Sequence, residues 1–93
     1  LLDQQYKITS NREFREGRYD VSLFPRELRY PGILMELKGK KGITEDTLKK
    51  LAKEALNQIE TQRYDAEMRQ EGVREVIKLG IAFSGKNVKI WTV

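Results

Sequence analysis

The spacing of apolar residues changes its period at Gly42, and that change constrains the fold more than any other feature of the chain. Before it, apolar and polar residues alternate, as they do in strands whose side chains point to opposite faces in turn. After it, Leu48, Leu51, Ala52, Ala55, Leu56 and Ile59 fall at i, i+3, i+4, i+7, i+8 and i+11, one stripe of a helix. Thr44 can cap that helix, and Glu45 and Asp46 suit the positive end of its dipole. A bend or restart is expected near Arg63 and Tyr64, and Gly72 closes the segment.

Three strands are predicted ahead of the helix. "YKITSN" (6–11) alternates, and "GRYDVSLFP" (17–25) sets Tyr19, Val21 and Leu23 against Arg18, Asp20 and Ser22. Pro25 ends the second strand, because it has no amide hydrogen to give a ladder. "ILMELK" (33–38), nearly all apolar, reads as a central strand. There Ile33, Met35 and Leu37 are expected to bury one face, with Leu34, Glu36 and Lys38 on the outward one. Two more strands, "VREVIKLGIAFSG" and "NVKIWTV", follow the helix and meet at a tight Ser84–Gly85–Lys86–Asn87 turn. The order predicts an α/β fold: a mixed sheet built from a three-strand meander, a crossover helix and a hairpin. An amphipathic helix ahead of residue 1 would cover the sheet's other face.

Ninety-three residues with no repeat or linker make one domain, 1–93. The chain opens on "LLDQQYKIT", without methionine, and so reads as a piece of a longer protein. There is no cysteine, which removes disulfides, thiolate metal sites and cysteine nucleophiles and fits a cytoplasmic location. Histidine is absent too, which removes catalytic triads, HExxH zinc sites and imidazole bases. Chemistry here falls to carboxylates, lysine, arginine or tyrosine, with a hard metal ion bound through oxygen. No apolar run is long enough for a membrane helix. A net charge of +4 is compatible with a polyanionic partner.

One polar constellation stands out in the strands. If the second and third strands are neighbours, Asp20 comes within reach of Glu36 on the same face, and Lys38 lies beside them. Adjacent carboxylates repel unless a cation sits between them, and oxygen-only ligation suits Mg²⁺ or Mn²⁺. Lys38 could then stabilise a hydroxide or the charge that builds on a phosphate. The bland alternative is a solvent-facing Asp20 and a Glu36–Lys38 ion pair worth under about 1 kcal/mol. Gln58 lies at the edge of the helical stripe, where it either reaches the site or packs as a boundary residue. Tyr64, near the helix end, carries the same two readings. Lys40 and Lys41, in "LKGKKG", form either a clamp on a phosphate backbone or a plain solvated loop. Arg18, on the Asp20 face, is a further substrate-binding candidate.

Four blocks, "SNREFREGRYDVSLFP", "ILMELK", "EALNQIETQRYD" and "IKLGIAFSGKNVKI", together resemble a bacterial branch of the PD-(D/E)XK nuclease superfamily. In that branch the nuclease-like domain ends a longer protein that begins with an AAA-ATPase-like domain. The resemblance runs from about Tyr6 to Ile90. It implies a restriction-endonuclease-like mixed sheet flanked by helices, and a Mg²⁺-dependent nuclease acting on nucleic acid, DNA in most members. Asp20 matches the motif's first acid, Glu36 its second and Lys38 its lysine, with the backbone carbonyl of Leu37 as a further metal ligand. Gln58 and Tyr64 match a glutamine and a tyrosine that follow the motif in this branch. Tyr19 replaces the proline of the superfamily's name. Related domains carry one more acid on a helix before the first strand, a segment this chain lacks; Glu13 is a candidate substitute. Some members have lost activity, so the resemblance also admits a silent nucleic-acid-binding or sensor module.

Overall fold

The computed structural model describes residues 2–13 and 18–92, and its five strands form one mixed sheet in sequence order. A short helix, α1 (Leu2–Gln5), leads into β1 (Tyr6–Glu13), which pairs antiparallel with β2 (Arg18–Pro25). β3 (Gly32–Gly39) pairs antiparallel with β2 in turn. The chain then crosses over through α2 (Glu45–Gln62) and α3 (Ala66–Gln70) to β4 (Val76–Ser84), parallel to β3. A parallel pair needs such a crossover, because a tight turn can join only antiparallel neighbours. β5 (Asn87–Thr92) returns antiparallel through a turn in which Gly85 adopts a φ of 59°.

Local chemistry sets the limits of α2. Thr44 is extended, and its hydroxyl accepts the amide of Thr47 at 3.3 Å, a cap worth about 1 kcal/mol. At the other end Arg63 takes a left-handed conformation (φ 53°), which stops the helix and turns Tyr64 back towards it. Leu48, Ala52, Ala55, Leu56 and Ile59 are buried, the predicted stripe less Leu51, which is half-buried.

The face covered by α2 is the reverse of the one expected. Leu34 and Glu36 lie buried, whereas Ile33, Met35 and Leu37 are only half-buried. The cause lies in β4, where Gly80 stands opposite Glu36 and Ala82 opposite Lys38. Those two small residues leave a trough for a helix. A Cβ on Gly80 would collide with the Ala52 carbonyl and with Leu56. The opposite face of β4 carries Ile77, Leu79, Ile81 and Phe83, which stand too tall for so close an approach.

Two buried clusters anchor α2. Leu34, Ile59, Met68 and Val73 pack at one end, with Phe24, Tyr64 and Val76 around them. Leu48, Ala52 and Ala82 pack at the other, with Ile43 and Leu51. Glu36 lies on the row between Leu34 and Lys38, between these clusters. Polar contacts fix the helix edges: Lys78 pairs with Glu60 at 3.1 Å and Asp65 at 3.6 Å, and Lys89 with Glu45 at 2.7 Å. Lys53 lies over the Trp91 ring, 4.4 Å from its centroid. No described helix is long and apolar enough to cross a membrane.

Candidate functional site

Asp20 and Glu36 are direct partners in the β2–β3 register. Residues opposite each other on antiparallel strands share a face, with Cβ atoms roughly 5 Å apart. Lys38 follows two residues along β3 on that face, level with Arg18 of β2 on one side and Ala82 of β4 on the other. Asp20, sixteen residues before Glu36 in sequence, is therefore adjacent to Glu36 and Lys38 in space only because the meander is in this register.

Their surroundings differ. Glu36 is 2% exposed, with its Oε2 sealed from solvent, and Asp20 and Lys38 are half-buried. Burying a carboxylate is costly unless its charge is met by partners or a cation. The structure thus offers one enclosed acid, with a half-buried acid and a half-buried lysine beside it. The candidate donor set is this pair with main-chain oxygen, and among the described residues no group of three or more His, Cys, Asp or Glu side chains gathers. That set fits Mg²⁺, which binds through one or two carboxylates and keeps several waters. Leu37 points its side chain to the other face, leaving only its backbone near the pair.

The remaining candidates fall into three places. Gln58 is half-buried on α2, and its amide donates to the Tyr64 hydroxyl at 3.5 Å, a long bond. The turn at Arg63 brings that tyrosine back, and Tyr64 packs against the Leu34 cluster, on the face of the acids. Lys40 and Lys41 are exposed on the turn leaving β3, beyond Lys38. Glu13 and Arg18 are register partners at the far end of the β1–β2 pair, and their side chains lie outside the described residues.

Gly80 is the residue that sequence reasoning passed over. Its missing side chain lets α2 close over Glu36, and a lone glycine inside an apolar strand is the signal that marks such an approach. Near the helix turn, the Asp65 carboxyl is held below the usual carboxylate range. The hydrogen bond from Arg69 at 2.6 Å is the main cause, and Lys78 adds to it.

The structure is a mixed sheet with a helix on one face, and the acid pair and the lysine lie on that face on two neighbouring strands. The chain belongs to the PD-(D/E)XK nuclease superfamily, whose family model matches residues 1–93. No curated protein and no solved structure matches it at significance. Membership suggests a nuclease-type function on a nucleic-acid substrate, and members typically use divalent metals.

Proposed function

We propose that this domain hydrolyses phosphodiester bonds in nucleic acid, DNA ahead of RNA, at the face formed by Asp20, Glu36 and Lys38. The observation that carries this reading is the Asp20–Glu36 register with Lys38 next on the same face. Asp20, Glu36 and the Leu37 carbonyl would hold Mg²⁺ or Mn²⁺, which when bound supplies Lewis-acid polarisation of the scissile phosphate. The Lys38 ammonium orients the attacking water and counters the charge that builds on the phosphate. α2 shields Glu36 from bulk water, which strengthens each of these interactions. Gln58 steadies Tyr64 at the edge of the site, and Lys40, Lys41 and Arg18 supply positive charge for the flanking backbone. No base-reading motif accompanies them in the sequence, so any sequence specificity would be weak or supplied elsewhere.

Mn²⁺ titration by calorimetry on the wild type and on the Asp20→Ala, Glu36→Ala double variant tests this, followed by cleavage of plasmid and oligonucleotide substrates. Binding and cleavage both lost in the variant support the reading; cleavage retained by the variant overturns it. The alternative reading that the family resemblance admits is a silent nucleic-acid-binding or sensor module attached to an AAA-type ATPase. Nucleic-acid binding without metal-dependent cleavage, in a chain extended by its upstream ATPase-like domain, would select it.

A further inference from the structure

Beside the acid pair, on the same face, lies a cleft of about 260 Å³ between β1, β2 and the α2–α3 turn. Its lining includes Lys7 and Thr9 of β1, Ser22 and Phe24 of β2, Tyr64, and Glu67 of α3. Thr9, Ser22 and Leu34 are aligned in one register row, two residues from the Asp20–Glu36 row. Two residues of strand span about 7 Å, so the cleft begins within one nucleotide of the candidate scissile phosphate.

We propose that this cleft receives a single unpaired nucleobase next to the cleavage position, so that the domain acts preferentially on single-stranded or flapped substrate. The proposal rests on the nuclease reading of the neighbouring acids. Three features support it. Phe24 and Tyr64 offer aromatic surface, and unstacked bases are held by stacking on such rings. Lys7 is exposed, where it can meet the sugar–phosphate strand as it passes the cleft. Glu67, also at the lining, repels a phosphate but accepts from the exocyclic amine of a base. A cleft with opposite charges and two aromatics therefore takes the base, and leaves the phosphate outside. A base still paired in a duplex cannot reach it without flipping out of the stack, which costs unpairing energy.

The test is fluorescence anisotropy of a labelled single-stranded DNA oligonucleotide and of a hairpin duplex, without divalent metal, against this chain and two variants. Ser22→Leu fills the cleft floor, and Phe24→Leu removes a stacking ring while keeping the position apolar. Single-strand affinity should fall roughly ten-fold in each, the loss expected for one stacked base, with duplex affinity nearly unchanged. Single-strand binding unaltered in both, or equal losses on single strand and duplex, overturns the proposal. Thermal melts by circular dichroism establish that the variants fold, and Thr9→Leu, at the exposed edge of the cleft, serves as a third variant if either does not. Glu36→Gln separates the two ideas. Cleavage that survives it sinks the nuclease reading, while the anisotropy still judges the cleft.

Discussion

Glu36 and Asp20 have the same chemistry and opposite surroundings, and that difference assigns their work. Glu36 is closed beneath α2 and Asp20 remains half-buried beside it, so on the proposed reading Glu36 would anchor the cation and Asp20 would complete its shell on the more accessible side. Lys38, two residues along the strand, is half-buried, and on the proposed reading its compact ammonium would meet the phosphate. Replacing it isolates chemistry from binding: Lys38→Ala should lower the cleavage rate by about 10²-fold or more while leaving oligonucleotide affinity largely intact. Time courses of cleavage alongside anisotropy titrations check this, and a parallel loss in both would return Lys38 to a mere phosphate contact. Lys38→Arg should not restore the rate, since a planar guanidinium replaces a compact point charge.

At the level of elements, the approach of α2 to the sheet is decided at Gly80, where helix backbone replaces the side chain. Gly80→Ala puts a methyl against the Ala52 carbonyl and Leu56, neither of which is the free end of a flexible side chain. The expected cost is about 1–3 kcal/mol in urea unfolding, with metal binding weakened because α2 can no longer close over Glu36. The junction of α2 and α3 is held differently, through Asp65, Arg69 and Lys78. Because Asp65 has a lowered pKa in the folded chain, the unfolded chain binds the proton first as the pH falls. The stabilisation is therefore fully present above the ordinary carboxylate range and fades as the pH drops through the lowered folded value. Asp65→Asn should thus be less stable than wild type near neutrality and approach it in acid, a trend that melting curves across pH read directly.

Across the described residues, one sheet face carries the helix and the candidate acids, and the other carries Ile8, Ile33, Met35, Ile77, Val88 and Ile90. A ligand that binds only the native state raises its stability by mass action, about 2.7 kcal/mol at a hundred times the Kd. Mg²⁺ or Mn²⁺ should accordingly raise the Tm of the wild type and not that of the Asp20→Ala, Glu36→Ala double variant; equal shifts in both would place the cation elsewhere. The sequence by itself determined the mixed sheet, α2 with its Thr44 cap, the hairpin at Gly85 and the pairing of candidates on alternating positions, because period and turn chemistry are local properties. It could not say which face of the sheet α2 would cover, because a period of two sorts residues into two rows without ranking them. That choice fell to Gly80 and Ala82, more than forty positions along the chain, which stand opposite Glu36 and Lys38 only across the β3–β4 pairing. The cleft beside the acids was equally hidden, since Thr9, Ser22 and Tyr64 share no local pattern and converge only when the strands register and Arg63 turns the chain back.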